Sequence, residues 1–180
     1  MLISYLLSYG SNREKEIKMI HELKGDVLLS TANAIVHGIA PNDHFRAGIA
    51  LELKDRWPAL FKDFRHFCHT HSPKTGDVWT WSGPNIRVIN LFTQEEAKHD
   101  SGHPGPASLS NLNHCLHKLK REITEQSITS LAFPKICCGH GGLKWNDVKP
   151  LLTDNLISLG IPVYLYVDFV KNLKANEPAK

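Results

Sequence analysis

The sequence predicts an α/β fold, a single domain of three layers (α/β/α) around a mixed and largely parallel central sheet. Short apolar runs alternate along the chain with longer segments of helical periodicity, which is typical of a sheet covered by helices. The run 34–39, Ala-Ile-Val-His-Gly-Ile, is apolar at nearly every position, as expected of a strand buried on both faces. A length of 180 residues suits one domain with a full hydrophobic core.

The individual elements follow from the spacing of apolar residues. Strands are predicted at 19–23, 34–39, 78–81, 86–92, 130–136 and 162–167. A first helix is predicted from Gly48, with a restart at Pro58 because proline interrupts the hydrogen bonds of a helix interior. The last helix is predicted at 143–159. The helix between them is predicted to begin at Pro106 and to bury the stripe Leu109, Leu112, Leu116, Leu119 and Ile123.

The patterned region suggests three parts: an N-terminal extension at 1–18, a domain at 19–168 and a C-terminal tail at 169–180. The first residues are apolar but few, and no basic region precedes them, so a signal peptide is not expected. Met19 stands directly before the first predicted strand and reads as an alternative start. From Lys171 onward the chain is polar and is expected to fray.

Composition favours a protein of the cytoplasm. The net charge of +3 suits an anionic small ligand, or an occasional contact with nucleic acid, better than dedicated nucleic-acid binding. The four cysteines include an adjacent pair and show no secreted disulfide framework. No stretch is long and apolar enough to span a membrane. We expect a cytoplasmic monomer without a cofactor.

Two strand-to-helix loops carry the chemistry that the sequence offers. The first lies at 39–50 and contains Phe-Arg-Ala-Gly-Ile-Ala, and the second lies at 134–145 and contains Cys-Cys-Gly-His-Gly-Gly. Ligands of open α/β sheets bind beyond the carboxyl ends of the strands, where such loops lead into helices. Glycines let backbone N–H groups turn toward a ligand, and the following helix N-terminus favours phosphate. Two such loops predict a clamp for a diphosphate.

These loops form part of an ordered set of segments. Lys24-Gly25-Asp26, Arg46-Ala-Gly-Ile-Ala50, Asn90-Leu-Phe-Thr93 and Pro134–Trp145 follow one another along the chain. In this order and spacing the sequence resembles the macrodomain family. It is most similar to the branch that contains the terminal ADP-ribose glycohydrolase and the DNA ADP-ribosyl glycohydrolase antitoxins. The resemblance covers about residues 19–167 and implies an ADP-ribose ligand, free or attached to a protein or nucleic acid.

The resemblance also implies roles for individual residues. Asp26 would accept a hydrogen bond from the adenine amino group, since a carboxylate presents only acceptors. The other implied ligand-binding residues are Val27 near the adenine, His37 on the strand before the first loop, Ala47, Gly48 and Ile49 in the first loop, Phe92 and Thr93 under the distal ribose, and Cys138, Gly139, His140, Gly141 and Gly142 in the second loop.

Two departures from the family pattern concern catalysis. Glycohydrolases of this branch have a lysine directly after the strand-end threonine, where this chain has Gln94, which is neither a nucleophile nor a general acid. One relative has an aspartate where this chain has Gly141. Hydrolysis at the distal ribose needs a base for water and an acid for the leaving group. The candidate catalytic residues in this chain are Asp43, His44 and Lys98.

Three functions remain open on the sequence. The first is removal of ADP-ribose from a modified protein or nucleic acid. The second is hydrolysis of ADP-ribose 1″-phosphate, by resemblance to a divergent macrodomain phosphatase that also lacks the lysine and has a histidine matching His37. The third is recognition of ADP-ribose without catalysis. The segment His66-Phe-Cys-His-Thr-His71 matches no common zinc spacing, and no metal site is expected.

Overall fold

A computed structural model describes residues 19–99 and 102–178, so the predicted extension at 1–18 lies outside the described residues. The strands are β1 (Ile20–Gly25), β2 (Ala34–Ile39), β3 (Val78–Ser82), β4 (Arg87–Phe92), β5 (Leu131–Pro134) and β6 (Val163–Phe169). The helices are α1 (Gly48–Arg56), α2 (Pro58–His71), α3 (Leu109–Glu125) and α4 (Trp145–Leu156). Short 3₁₀ turns occupy Val27–Leu29 and Ile157–Leu159.

The six strands form one mixed sheet in the order β1-β6-β5-β2-β4-β3. All neighbouring strands pair in parallel except β3, which runs antiparallel to β4 at one edge. This confirms the predicted largely parallel sheet. Because parallel strands share a direction, β1, β2, β4, β5 and β6 all end at the same edge of the sheet. The loops that follow these strands are therefore brought together, although they are far apart in sequence.

Helices cover both faces of the sheet, which confirms the three-layer architecture. On one face, α3 and α4 bury Leu116 and Leu152 against the strands. On the other face, α1 and α2 bury Leu53 and Phe64. Residues of β2 contribute to both sides, because successive side chains of a strand point to opposite faces. This explains why β2 is apolar at nearly every position.

The prediction for α3 was wrong at its start. The helix begins at Leu109 rather than Pro106, because the Ser108 side chain accepts a hydrogen bond from the Asn111 N–H (3.0 Å) and caps the helix. Leu109 therefore occupies the first turn and is 38% exposed, whereas the other four residues of the predicted stripe are buried. No described helix is long and apolar enough to cross a membrane.

The C-terminal segment also differs from the prediction. Residues 171–178 do not fray but fold back along β1 and the 3₁₀ turn that follows it. The Asp26 N–H donates to the Leu173 carbonyl (2.8 Å), and the Tyr164 hydroxyl donates to the Pro178 carbonyl (2.7 Å). The Glu177 carboxylate accepts hydrogen bonds from Thr31 and Tyr166. These partners lie more than 140 residues before the segment or on β6, so local sequence gives no sign of them.

Candidate functional site

A cleft of about 820 Å³ opens at the edge where the five parallel strands end. Its volume lies within the range of small-molecule sites. One wall comes from the first loop and the start of α1, and the facing wall comes from the second loop. The loop after β4 closes one end, and β6 with the residues around Val27 closes the other. The position agrees with the rule that ligands bind beyond the carboxyl ends of parallel strands.

The first loop is held in place from below by a buried aromatic residue. Phe45 is fully buried, and its ring packs against Phe64 (centroids 4.9 Å apart) and Phe61 (5.3 Å). Its φ of 51° lies in the left-handed region, which is uncommon for a residue with a large side chain. The aromatic packing offsets that conformational cost. As a result, the residues on either side of Phe45 are directed to the cleft.

The N-terminus of α1 faces the cleft without a side-chain cap. Ala47 is the N-cap residue and offers no side-chain acceptor, so the first amides of the helix keep their hydrogen-bonding capacity. Ala47, Gly48 and Ile49 all line the cavity. Free helical N–H groups and the helix dipole together favour an anion such as a phosphate.

The second loop offers further backbone donors. Its internal turns use the amides of Gly142, which donates to the Gly139 carbonyl (3.0 Å), and Leu143, which donates to the Cys137 carbonyl (2.9 Å). The amides of Gly139 and His140 donate to no acceptor among the described residues, and both residues are exposed on the cleft. Such unsatisfied N–H groups at a concave surface form an anion site.

The two loops approach each other closely. A Cβ placed on Gly48 would lie 3.5 Å from Nδ1 of His140, and nothing else would be nearer. The φ of Gly48 is 57°, so this position combines a left-handed backbone with a close approach, which favours glycine. The start of α1 and the second loop therefore face each other across this part of the cleft.

Gly141 is confined in a different way. An added Cβ there would lie 2.6 Å from the Cys137 carbonyl oxygen and 3.0 Å from the Ala107 Cβ. Gly141 is buried and its carbonyl accepts the Ala107 N–H (2.9 Å). Any side chain at this position, including the aspartate that the resemblance implied for one relative, would meet these atoms.

Asp43 is a partly buried carboxylate that lines the cleft. Its Oδ1 accepts a hydrogen bond from the Phe45 N–H (2.6 Å), which fixes the side chain. Burial raises the pKa of Asp43, and the Phe45 hydrogen bond and the nearby charges of His44 and His140 oppose that rise. A carboxyl group with a raised pKa can exchange a proton closer to neutral pH than an exposed aspartate. His44 and the exposed Lys98 line the same cavity as Asp43, so all three catalytic candidates face it.

Gln94 lines the cavity, and its side-chain hydrogen bond is made to the loop that follows Gln94 in the sequence. Its Nε2 donates to the Gly105 carbonyl (3.1 Å), and its backbone pairs with Ala107 in an isolated bridge. The side chain is 8% exposed. Gln94 therefore holds the long loop against the sheet at the position where the family resemblance implied a lysine.

The opposite end of the cleft carries the residues expected near adenine. Val27 lines the cavity, as do Tyr166 and Phe169 from β6. Asp26 lies directly behind this wall, is 5% exposed and does not line the cavity itself. Its Oδ1 accepts the Leu28 N–H (3.0 Å), and its Oδ2 accepts the Asn172 N–H (3.0 Å).

Five predicted ligand-binding residues do not line the cavity, and Asp26, described above, is one of them. His37, Phe92 and Thr93 are fully buried beneath the floor of the cleft, so none of their side chains reaches its surface. Gly142 is exposed but turned away from the cleft, and its φ of 76° makes the turn into α4. The Nε2 of His37 bonds Asn90 Oδ1 (2.7 Å).

The environment of His37 is apolar. Its ring packs edge-on against Phe45, with centroids 6.1 Å apart. Burial lowers the pKa of His37 to about 4, although the hydrogen bond to Asn90 opposes this shift. The side chain is therefore neutral at physiological pH and donates from Nε2 to Asn90. It belongs to the core.

Some residues of the cleft were not predicted from the sequence. Phe169 is 57% exposed at the rim, beyond the boundary predicted for the domain. Asn42 joins two loops: its side chain donates to Glu96 Oε1 (2.5 Å), and its carbonyl accepts from Arg65 (2.8 Å). A large aromatic residue at the end of a final strand is a signal that could have drawn attention to Phe169. The bridge of Asn42 has no local signal.

Metal-binding side chains do not converge in the described part of the chain. No group of three or more histidines, cysteines or carboxylates there is arranged to hold an ion. The histidines at 66, 69 and 71 lie along the last turns of α2. The four cysteines, all among the described residues, are free thiols, and burial raises the pKa of Cys138 in the cleft.

Comparison with known proteins agrees with the fold and the cleft. The model of the Macro domain family matches residues 29–152. The chain is 30% identical over 139 residues to the DNA ADP-ribosyl glycohydrolase of Mycobacterium bovis, covering 74% of this chain and 38% of that protein. It is 25% identical over 163 residues to the DNA ADP-ribosyl glycohydrolase of Thermus aquaticus, covering 88% of this chain and 43% of that protein. The chain belongs to the macrodomain family.

A solved structure also agrees with the macrodomain fold. The macrodomain of Thermus aquaticus DarG superposes with a TM-score of 0.72 at 25% identity, over 83% of this chain and 98% of that one. The chain spans less than half the length of the two curated relatives but nearly all of this solved macrodomain. The resemblance predicted from the sequence is thereby confirmed.

Proposed function

We propose that this macrodomain binds ADP-ribose in the cleft and hydrolyses the bond between its distal ribose and a modified macromolecule. The observation that carries the proposal is the pair of facing donor sets: the uncapped start of α1 and the unpaired amides of Gly139 and His140. Gly48 and His140 lie close enough to contact one diphosphate together. Residues that line the cavity lie on both sides of that point.

The two ends of the cleft suit the two ends of the ligand. Adenosine would lie at the Val27 and Phe169 end, where apolar side chains line the cavity. A carboxylate has about four acceptor positions, and Asp26 uses two, which leaves capacity for the adenine amino group. The distal ribose would lie between the first loop and Gln94.

The catalytic step would depend on Asp43. Water attacks the anomeric carbon of the distal ribose while the bond to the leaving group breaks, and the leaving group takes a proton. Phe45 occupies one oxygen of Asp43, and the carboxylate keeps acceptor capacity for that water. Asp43 would accept the proton from water, and His44 or Lys98 would supply one to the leaving group. This route needs no lysine at position 94.

A nucleic-acid conjugate is the favoured substrate. Two relatives are named DNA ADP-ribosyl glycohydrolases. Arg46, Lys98 and Lys135 are exposed around the cleft and would contact phosphates of the attached strand. An ADP-ribosylated protein is the second candidate. We further propose that the domain at 19–168 acts as a monomer in the cytoplasm, which suits four free thiols.

Calorimetry tests the binding part of the proposal. ADP-ribose is expected to bind at micromolar concentration, and AMP, which lacks the second phosphate and distal ribose, at least tenfold more weakly. Gly139→Val is a matched blocking variant, because no atom lies within 4 Å of its Cβ position and the new side chain would enter the cleft. Asp154→Asn, exposed on α4, is the control. Absence of binding at millimolar ADP-ribose would refute the proposal that ADP-ribose is the ligand.

A release assay tests catalysis. Wild type is mixed with an ADP-ribosylated oligonucleotide or an ADP-ribosylated protein, and free ADP-ribose is measured. Asp43→Asn should reduce turnover by about 10² or more with little change in affinity, as loss of a general base does. Asp154→Asn should turn over like wild type. Equal rates for Asp43→Asn and wild type would refute the role of Asp43.

A reader without catalysis is the second candidate function, and Gln94 favours it. Its amide is committed to Gly105 and offers no proton or nucleophile to the ribose. The reader would bind ADP-ribose in the calorimeter and release nothing in the assay. Hydrolysis of ADP-ribose 1″-phosphate loses its support from His37, which lies in the core. Release of inorganic phosphate from ADP-ribose 1″-phosphate would restore it.

A further inference from the structure

The C-terminal residues 170–178, called here the C-terminal clasp, are fastened to the adenine end of the cleft. Two backbone hydrogen bonds start the clasp: the Val170 N–H donates to the Gly25 carbonyl (3.2 Å) and the Asp26 N–H donates to Leu173 (2.8 Å). A Cβ on Gly25 would lie only 2.7 Å from the Leu173 carbonyl oxygen, so glycine permits this contact.

Glu177 closes the clasp. Its carboxylate accepts hydrogen bonds from the Ser30 hydroxyl, the Thr31 N–H (2.8 Å), the Thr31 hydroxyl (2.5 Å) and the Tyr166 hydroxyl (2.8 Å). Burial raises the pKa of Glu177, but the donors outweigh burial and the pKa is lowered overall. Ala175, between the two ends, packs against the cluster that contains Val27 and Tyr166. A negative charge with this many donors is a strong anchor for so short a segment.

The clasp acts directly on Asp26. The Asn172 N–H donates to Oδ2 of Asp26, and the Leu28 N–H donates to Oδ1. These bonds hold both oxygens of the carboxylate in one orientation, while Leu173 holds its backbone. Without Asn172 and Leu173 the side chain would keep only the local Leu28 contact, which a turn residue makes anyway.

We propose that the C-terminal clasp positions Asp26 for adenine recognition, with Glu177 as the positioning residue that keeps the clasp closed. This inference rests on the proposed ADP-ribose function. The clasp supplies from the end of the chain an orientation that the turn at Asp26 does not provide alone. It links pairs of residues that are 146 positions apart in the sequence to one feature of the ligand, the purine amino group.

The test compares two ligands that differ at that amino group. One is ADP-ribose, and the other is its hypoxanthine analogue, inosine diphosphate ribose, which has a carbonyl oxygen in place of the amino group. Wild type is expected to prefer ADP-ribose by about tenfold, the value of one hydrogen bond to a charged acceptor. Glu177→Ala should weaken ADP-ribose by about the same factor and leave the analogue within twofold, so the preference disappears.

Two further variants sharpen the comparison. Thr31→Val removes a hydroxyl donor to Glu177 from the opposite side and should reduce the preference in part. Glu125→Ala, an exposed glutamate at the end of α3, is the matched control and should behave as wild type. Amide hydrogen exchange of Asp26 and Asn172 should be slow in wild type and in the control, and faster in Glu177→Ala.

The outcomes distinguish a failure of the positioning role of the clasp from a failure of the proposed function. Equal weakening of both ligands would show general loosening and would overturn the positioning role. Unchanged or tighter ADP-ribose binding by Glu177→Ala would overturn it as well, and tighter binding would make the clasp a cover over Asp26. If wild type binds neither ligand, the proposed function fails and adenine recognition with it. Hydrogen exchange still reports in that case whether Glu177 closes the clasp.

Discussion

Replacing Gly141 or Gly139 of the second loop by alanine adds one methyl group in each case, but the two variants should differ in stability. Gly141→Ala places a Cβ 2.6 Å from the Cys137 carbonyl oxygen and 3.0 Å from the Ala107 Cβ. Neither neighbour can move freely, because Cys137 accepts the Leu143 N–H and Ala107 donates to Gly141 itself. In contrast, Gly139→Ala meets no atom within 4 Å.

The size of the effect follows from this crowding. Overfilling a packed site costs about 1–3 kcal/mol, and contacts with two constrained backbone segments suggest about 2 kcal/mol. For a chain of this size that corresponds to a fall in Tm of roughly 4–8 °C. Gly139→Ala should change Tm by no more than about 2 °C, as exposed substitutions do.

Differential scanning fluorimetry and urea unfolding would measure both variants beside wild type. The urea slope should be unchanged, so that the difference in midpoint reports stability alone. Equal Tm values for Gly141→Ala and Gly139→Ala would refute the packing of this loop as described. A larger loss for Gly139→Ala would refute its exposure on the cleft.

Two other predictions concern the core. Burial lowers the pKa of His37 from 6.5 to about 4, so below pH 6.5 the unfolded chain binds a proton that the folded chain does not. Stability should therefore fall as the pH drops from 7 toward 4. This one group should contribute about 2–3 kcal/mol to the loss of unfolding free energy between pH 7 and pH 4. His37→Gln should lack this contribution when urea unfolding is measured at the two pH values. In α3, Leu116→Ala should cost about 2–5 kcal/mol, whereas Leu109→Ala should cost under about 0.5 kcal/mol. Similar losses for the two leucines would contradict the observed start of the helix.

The sequence alone determined the order of the elements and the family. The run at β2 and the stripe of α3 have periodicities that local chemistry imposes, and these follow directly from residue type. The two glycine-containing loops were also evident, because glycine marks backbone that must turn sharply or approach another group. The ends of the helices and strands were predicted less accurately than their order. The cap of α3 depends on one serine hydroxyl, and proline two residues earlier gives a competing signal.

The tertiary structure decided which residues reach the cleft. His37 belongs to a site motif by sequence, but the alternation of β2 turns its side chain into the core beside Phe45. The Asp26 carboxylate meets Asn172 only because parallel pairing of β1 with β6 brings the segment after β6 beside the turn after β1. Glu177 reads as part of a polar tail, and its donors at Ser30 and Thr31 lie almost the whole chain away. Contacts between such distant segments depend on the closure of the whole sheet, and no local pattern of residues encodes them.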